Sequence, residues 1–310
     1  MKYAVLFPGQ GSQAVGMLSG HGAAEVADTF AEASDILGWD LLALVRNGPA
    51  EELNRTEKTQ PALLAASIAV WRIWQTRDLP PPLALAGHSL GEYSALVAAG
   101  ALQFADTLKL VELRGQLMQA AVPAGTGGMV AVIGLEDAKV VALCQAYPGT
   151  AVLEPVNYNA PGQVVVAGQT EALEWLTANG KTHGARMVMK LPVSVPSHCS
   201  LMKEAANQLA ERLAQVDIRL PSIPVFHNLD AAAHSDPDTI RQALRQQLFK
   251  PVLWTQTIRT LIDAGVGTFL ECGPGKVLCG LNKRISSEVK SVALEDAQGI
   301  TAASGTLVKS

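Results

Sequence analysis

The chain has 310 residues, 48% of them hydrophobic, with a formal net charge of −4 at pH 7 and a pI of about 5.9. This length can bury the core of one large domain or of two ordinary ones. The slightly acidic balance argues against nucleic-acid binding, and the 4 cysteines contain no C-x-x-C pair that would indicate a zinc site or disulfide framework. We expect a cytoplasmic protein with reduced thiols.

The first predicted strand, 3–7, runs into the glycine-rich loop FPGQGSQAVGM, and a predicted helix follows at 23–37. A dinucleotide fingerprint spaces its glycines as G-x-G-x-x-G and has an acidic residue at the end of the next strand. Here the glycines are Gly9, Gly11 and Gly16, so the third comes two places late, and no such acidic residue follows. A P-loop also fails, because no Gly-Lys-Ser/Thr is present. A structural turn and a backbone N–H donor site remain the alternatives.

The longest apolar stretch, Pro61 to Trp74, is interrupted by Ser67 and Arg72. It is shorter than the roughly 18 apolar residues that a membrane span requires. The sequence therefore predicts no transmembrane segment.

A second strand, predicted at 83–87, leads into Gly87-His88-Ser89-Leu90-Gly91, and a predicted helix covers 90–99. A G-x-S-x-G sequence between a strand and a helix is typical of a nucleophile elbow. Its glycines allow a sharp turn that exposes the Ser89 hydroxyl near a helix N-terminus. The alternative is that Ser89 is simply a small residue in a tight turn.

One arginine occupies an unexpected position in the predicted helix FADTLKLVELRGQLMQAAV. At about 100° per residue, Arg114 falls near the middle of the apolar arc. A buried guanidinium without an anionic partner is costly. The partner is either an internal Asp or Glu, or the carboxylate of a substrate, for which the planar guanidinium is suited.

From residue 125 onward the pattern changes to β-α-β-β-α-β, which is typical of a ferredoxin-like unit. We predict an insert at 125–193 within a larger α/β domain formed by 1–124 and 194–310. The larger domain then has a parallel sheet, because strands at 223–228, 268–273 and 289–294 alternate with helices. The tail GITAASGTLVKS is small and polar, and we expect it to be disordered.

A serine nucleophile needs a base, and the candidates are His198 and His227, each at a strand end. His198 is favoured because it follows the insert at a strand-to-helix junction, in the order Ser then His. His88 is expected to pack beside the elbow, and Cys199 has no base placed for it. No Asp or Glu is suitably placed as a third triad member, so a backbone carbonyl is an alternative.

With these residues assembled, the chain resembles the malonyl-CoA:acyl carrier protein transacylases. The segments FPGQGSQAVGM, TQPALLAAS, GHSLGEYSAL, LRGQLMQ, VNYNAPGQVVVAG, PVSVPSH and ECGPGKVL match that family's motifs in order. The resemblance implies a hydrolase-like α/β core with a ferredoxin-like insert.

The resemblance also implies the catalytic residues. Ser89 would be the nucleophile and His198 the base and then the acid. The backbone N–H groups of Gln10 and Leu90 would hold the oxyanion, and the backbone carbonyl of Gln247 would orient the histidine. The glycine loop would then serve an oxyanion and not a phosphate.

Substrate recognition is implied in the same way. Arg114 would bind the malonyl carboxylate, with Gln60 and Asn157 in the pocket. The reaction would be ping-pong transfer from malonyl-CoA to acyl carrier protein for fatty acid synthesis, without cofactor or metal. We expect a monomer that binds neither nucleic acid nor membrane.

Three alternatives remain. They are a thioesterase using the same elbow, a malonyl transferase of polyketide synthesis, and a non-catalytic subunit that only binds an acyl carrier. Because carrier proteins are acidic, basic residues near the cleft are expected to contact them. The candidates are Arg186, Lys190, Lys276, Lys283 and Arg284.

Overall fold

The structure is a computed structural model that describes residues 2–193 and 195–308. The strands are β1 (Tyr3–Phe7), β2 (Ala84–Gly87), β3 (Gly127–Ile133), β4 (Leu153–Ala160), β5 (Gln163–Gln169), β6 (Met187–Lys190), β7 (Val225–Phe226), β8 (Thr268–Glu271) and β9 (Lys290–Ala293). The helices are α1 (Ala24–Leu37), α2 (Leu41–Asn47), α3 (Ala50–Leu53), α4 (Thr56–Gln75), α5 (Gly91–Ala98), α6 (Phe104–Ala120), α7 (Asp137–Gln145), α8 (Thr170–Asn179), α9 (Lys203–Leu213), α10 (Pro237–Gln247), α11 (Trp254–Asp263), α12 (Val277–Ile285) and α13 (Ala297–Val308). A 3-10 turn at Ser200–Met202 precedes α9.

The larger sheet is parallel, with strand order β7-β2-β1-β8-β9. Strand β1 is buried along its whole length. Its side chains alternate between two cores, with Val5 and Phe7 in one and Ala4 and Leu6 in the other. An uninterrupted apolar strand is what a parallel sheet covered by helices on both faces requires.

The carboxyl ends of the parallel strands bring distant loops together. Phe7 lies opposite Gly87 in the β1–β2 register, and Leu6 lies opposite Glu271 in the β1–β8 register. Because parallel strands end at the same edge, the loop after β1 and the turn after β2 are neighbours. This edge therefore carries both Gln10 and Ser89.

The smaller sheet is antiparallel, with strand order β4-β5-β3-β6. One face packs on α7 and α8 through apolar side chains such as Val132 and Val164. The other face packs Met129 and Val165 against Cys199 of the larger unit. The chain is thus a mixed α/β protein with a parallel sheet at its core.

Several contacts join the two sheets around the segment that follows residue 195. Asn157 of β4 forms a parallel bridge with Val252. The Glu154 carboxylate accepts hydrogen bonds from the backbone N–H of Ser200 at 3.0 Å and from its hydroxyl at 2.5 Å. The smaller sheet therefore holds the chain two residues beyond His198.

The expectation of a disordered tail is wrong for residues 299–308. These residues belong to α13, in which Ile300 and Ala303 are fully buried at helical spacing. The helix packs on β9, so a small apolar face suffices to order it. Residues 309 and 310, and the predicted domain boundary at 194, lie outside the described residues. In the described part of the chain, no helix combines the length and apolarity needed to cross a bilayer.

Candidate active site

The turn between β2 and α5 holds Ser89 in a strained conformation. Ser89 has φ of +51°, in the left-handed region that non-glycine residues rarely adopt. The flanking glycines are required by close backbone contacts. A Cβ at Gly87 would lie 1.9 Å from the Gly91 carbonyl carbon, and one at Gly91 would lie 2.0 Å from the Phe7 oxygen. The turn is therefore packed directly against the end of β1.

His198 lies within hydrogen-bonding distance of the serine. The Ser89 hydroxyl and His198 Nε2 are 2.8 Å apart, and His198 Nδ1 is 2.6 Å from the backbone oxygen of Gln247. Because a carbonyl only accepts, the ring proton lies on Nδ1, and Nε2 is free to accept from the hydroxyl. Burial, and to a lesser extent the nearby charge of Arg114, lower the pKa of His198 to about 3. The ring is therefore neutral at pH 7, as a base must be.

Arg114 of α6 is buried beside the same hydroxyl, with 1% of its surface exposed. Its Nη1 donates to Gln60 Oε1 at 2.8 Å, and its Nη2 donates to Gln247 Oε1 at 2.9 Å and to the Ser89 hydroxyl at 3.4 Å. Burial lowers the pKa of Arg114. Across residues 2–193 and 195–308, no carboxylate forms an ion pair with the guanidinium, and its Nε has no hydrogen-bond partner. Neutral amides hold the cation, which leaves its charge available to an anion.

A cavity of about 100 Å³ collects these groups. It is lined by Gln10, His88, Ser89, Leu90, Arg114, Met118, Met129, Asn157, Leu191, Val193, Val195, Ser197 and His198. Gln60 lies outside this lining, fully buried behind Arg114. A larger cavity of about 730 Å³ shares Gln10, Leu191 and Val193 with the first and extends along the smaller sheet.

Two residues that line the cavity have backbone N–H groups without a partner in the described part of the chain. Within the described residues, no hydrogen bond involves the backbone N–H of Gln10 or of Leu90. The N–H of Ser89, by contrast, donates to Asn228 Oδ1 at 2.7 Å. Unpaired N–H groups beside a nucleophile can stabilise a developing oxyanion. Asn157 also presents a side-chain oxygen that lacks a partner among the described residues.

The competing histidine, His227, has a different environment. It is fully buried, and its Nδ1 lies 2.7 Å from Glu92 Oε1. Glu92 Oε2 also accepts from the backbone N–H of Asn228 at 2.9 Å and from Gln247 Nε2 at 3.0 Å. The structure thus brings Ser89 together with His198 and places His227 in a polar cluster beneath the turn.

Sequence patterns overlooked Glu92 and Asn228. A usable signal for Glu92 was present, because it is the one charged residue in the otherwise uncharged helix LGEYSALVAAG. His88 packs as expected, with its Nε2 donating to Asn159 Oδ1 at 2.8 Å and its ring 5.3 Å from that of Trp254. The five basic residues that were predicted to contact a carrier protein are all exposed. They are Arg186, Lys190, Lys276, Lys283 and Arg284.

Comparison with known proteins finds relatives that match nearly the whole length of the chain. The model of the acyl transferase domain family matches residues 5–299. The malonyl CoA-acyl carrier protein transacylase of Salmonella typhimurium is 52% identical over 304 residues, which cover 97% of this chain and 98% of that protein. A crystal structure of an acyl carrier protein S-malonyltransferase from Vibrio cholerae is 54% identical, with a TM-score of 0.95 over 98% of this chain and all of that one.

A second similar structure includes a partner protein. It is a complex between a type II PKS acyl-carrier protein and its malonyl-transacylase, and the matching chain is 49% identical. The TM-score is 0.97, covering 99% of this chain and 100% of that chain. Similarity over nearly the whole length applies to both sheets and to the cavity between them.

Proposed function

Because the chain belongs to the acyl transferase domain family, among the malonyl CoA-acyl carrier protein transacylases, we propose that it transfers malonyl groups from malonyl-CoA to acyl carrier protein. The product, malonyl-acyl carrier protein, would supply fatty acid synthesis. One observation carries the substrate assignment. Arg114 lies 3.4 Å from the nucleophilic hydroxyl and pairs with amides instead of a carboxylate.

The first half-reaction follows from the hydrogen bond between Ser89 and His198. The Ser89 oxygen attacks the thioester carbonyl while His198 Nε2 takes the hydroxyl proton. The N–H groups of Gln10 and Leu90 stabilise the oxyanion that forms. The carbon–sulfur bond then breaks, and the departing CoA sulfur takes the proton from His198. The result is malonyl-Ser89 and free CoA.

The second half-reaction runs the same steps with another thiol. The phosphopantetheine thiol of the carrier protein gives its proton to His198 and attacks the malonyl ester. The ester bond to Ser89 breaks, and the serine oxygen recovers the proton. No other group is required, since the histidine alone moves the proton in both directions.

A bound malonyl carboxylate would also tune the base. The positive charge of Arg114 is one cause of the low pKa of His198. A substrate carboxylate on the guanidinium offsets that charge and raises the pKa of His198 toward neutrality. Substrates with a free acid end therefore make His198 a stronger base than neutral acyl groups do.

The larger cavity supports access for a long thiol arm. Its lining residues include Gly127 and Gly128 together with Thr170, Thr177 and Leu173. Such a mixed surface suits the amides and methylenes of a pantetheine arm. We propose that both thiols reach Ser89 through this cavity.

The domain organisation belongs to the same proposal. Residues 125–193 would be a ferredoxin-like insert within a hydrolase-like domain of 1–124 and 194–310. The strand order β4-β5-β3-β6 and the placement of α7 and α8 on one face support it. Contact between the five exposed basic residues and an acidic carrier protein stays a prediction, as do the cytoplasmic location and the monomeric state.

The test is to incubate the protein with labelled malonyl-CoA and then with carrier protein. We expect a malonyl adduct on the Ser89 peptide by mass spectrometry, followed by transfer of the label to the carrier. Ser89→Ala, which lacks the hydroxyl, is expected to form no adduct. Rapid release of free malonate without a loaded carrier would indicate a thioesterase. Absence of any adduct would indicate a non-catalytic binding subunit.

A further inference from the structure

Glu92, three residues after the nucleophile, is fully buried on α5. Its carboxylate accepts from three donors, which are His227 Nδ1 at 2.7 Å, the Asn228 N–H at 2.9 Å and Gln247 Nε2 at 3.0 Å. Buried carboxylates are tolerated when donors satisfy them in this way. None of the residues to which the mechanism assigns a proton transfer belongs to this cluster.

The hydrogen bonds of His227 indicate where the negative charge lies. In the part of the chain that the structure describes, His227 Nε2 is buried and has no hydrogen-bond partner. A doubly protonated ring would bury an unpaired N–H there, which is costly. The favoured arrangement is a neutral ring that donates through Nδ1 to an ionised Glu92.

A single amide separates this carboxylate from the guanidinium of Arg114. The Gln247 side chain donates through Nε2 to Glu92 at 3.0 Å and to the Ser89 carbonyl at 2.9 Å. Its Oε1 accepts from Arg114 Nη2 at 2.9 Å. Two opposite charges that are separated by one amide side chain attract each other strongly in a buried site, although they do not touch.

We propose that Glu92 is the counter-charge of Arg114 before substrate binds. A carboxylate in direct contact would occupy the guanidinium, whereas complete absence of negative charge would leave a buried cation uncompensated. Placing Gln247 between them balances the charge and leaves the donors of Arg114 open to a substrate carboxylate. Glu92 is thus a positioning residue that acts through Arg114 and weakens malonyl binding enough for turnover.

This inference rests on the proposed function, and Glu92→Gln tests it. The new amide oxygen can accept from Asn228 and Gln247, while its NH2 group donates to His227 Nδ1 after that ring moves its proton to Nε2. The hydrogen bonds of residue 92 are kept and its charge is lost, while the His227 proton moves to the buried Nε2, which has no partner among the described residues. We expect the KM for malonyl-CoA to fall at least about threefold, because the substrate carboxylate then supplies the counter-charge of Arg114 that Glu92 supplies in the wild type.

Two comparisons separate this effect from a merely structural one. Acylation of Ser89 by acetyl-CoA, which has no free carboxylate, is expected to stay within about twofold of wild type, because Arg114 makes no ionic contact with it. In an Arg114→Ala background, Glu92→Gln is expected to leave the KM for malonyl-CoA unchanged. The matched control is Ser94→Ala, since Ser94 is buried on the same helix but lies outside the cluster.

An unchanged or higher KM for malonyl-CoA in folded Glu92→Gln would overturn the inference, as would an equal loss with both substrates. If Glu92→Gln does not fold, Glu92→Asp keeps the charge and is expected to keep the preference for malonyl over acetyl. A folded Glu92→Asp enzyme without that preference would overturn the counter-charge role. Failure of wild-type protein to accept malonyl at all would instead contradict the proposed function.

Discussion

A guanidinium held by amides behaves differently from one held in an ion pair. Amide oxygens orient Arg114 without cancelling its charge, so the site can still gain from an incoming anion. Gln60 supplies its oxygen to Nη1 at 2.8 Å, and Gln247 supplies its oxygen to Nη2 at 2.9 Å. The specificity of the cavity therefore depends on neutral partners as much as on the arginine itself.

Replacement of Arg114 by alanine should change substrate preference more than stability of the active-site turn. Loss of a buried charge partner costs about 2–5 kcal/mol, so we expect kcat/KM for malonyl-CoA to fall about 100-fold. Acylation by acetyl-CoA should not fall. Steady-state kinetics with both substrates measure this. Arg72→Ala is a suitable control, because Arg72 does not line the cavity and forms an ion pair with Glu32 at a distance of 2.7 Å. Equal losses with both substrates would contradict a carboxylate-binding role.

Gln60→Glu tests the same idea by adding charge. A carboxylate at this position would lie against Arg114 Nη1, where the amide oxygen is now 2.8 Å away. The resulting internal ion pair would compete with the substrate carboxylate. We expect the KM for malonyl-CoA to rise at least about tenfold, because a buried pair at this distance is strong. Titration of initial rates with malonyl-CoA measures it, and an unaltered KM would show that the charge of Arg114 is not used.

Residue patterns revealed Ser89 and Arg114 because each breaks a local rule, whereas His198 was favoured over His227 by its position after the insert and by the order Ser then His. The serine lies in a glycine turn, and the arginine lies on an apolar helix face. Glu92 was overlooked although it is the one charged residue of its helix, and Asn228 breaks no local rule. The contacts of both residues are remote in sequence. Glu92 meets His227 at a separation of 135 residues, which no local pattern can reveal.

At the scale of elements, the long periodic segments were predictable and the short ones were not. Helices α1 and α5 lie close to their predicted bounds of 23–37 and 90–99. Helices α2 and α3, at Leu41–Asn47 and Ala50–Leu53, are too short to show a helical period. Helix α13 was missed because burial of one small apolar face, with Ile300 and Ala303, orders it, and composition does not show this.

Because the turn that carries Ser89 is closely packed, we expect one added methyl group at Gly91 to cause a large loss of stability. A Cβ at Gly91 would lie 2.0 Å from the backbone oxygen of Phe7, so β1 and α5 would have to separate. We expect Gly91→Ala to lower the free energy of unfolding by more than about 2 kcal/mol, as overpacking against backbone does. Urea denaturation followed by circular dichroism measures this loss.

Gly280 in α12 provides the matched control for that substitution. A Cβ there meets nothing within 4 Å, and the residue is exposed. Gly280→Ala should raise the free energy of unfolding by up to about 1 kcal/mol, because alanine favours helix. Similar urea midpoints for Gly91→Ala and Gly280→Ala would contradict the close packing of the turn.

The whole molecule determines where His198 lies relative to Ser89. The two residues are 109 positions apart, and the smaller sheet intervenes between them in the chain. Contacts such as Glu154 with Ser200 and Asn157 with Val252 fix that sheet against the larger unit. The sequence predicted both units and the order of their elements, but these long-range contacts have no signature in local composition.

Burial of neutral histidines links the stability of the whole molecule to pH. The pKa of His198 is lowered to about 3, so in the folded protein it stays neutral while the unfolded chain takes up a proton below its ordinary pKa of 6.5. The free energy of unfolding therefore falls as pH decreases from 6.5 toward 3, by up to about 1.4 kcal/mol per pH unit for one such group. Burial lowers the pKa of His88 in the same direction.

Glu271 changes the free energy of unfolding in the opposite direction to the histidines over part of this pH range. Burial raises its pKa to about 7 from 4.5, so the stability it contributes is lost as pH rises from 4.5 toward 7. Between pH 4.5 and 6.5, Glu271 therefore offsets part of the loss of stability that the buried histidines cause as the pH decreases. A comparison of variants, and not the wild-type curve alone, isolates His198.

His198→Gln should make stability less dependent on pH. With no proton to gain on unfolding, this variant loses one contribution to the slope between pH 4.5 and 6.5, where we expect a difference of up to about 1.4 kcal/mol per pH unit. Thermal midpoints of wild type and variant at several pH values in this range measure it. For His183→Gln, at an exposed position, the plot of thermal midpoint against pH should be parallel to that of wild type. Parallel curves for His198→Gln as well would mean that the His198 ring is not held neutral by its burial between Arg114 and Gln247.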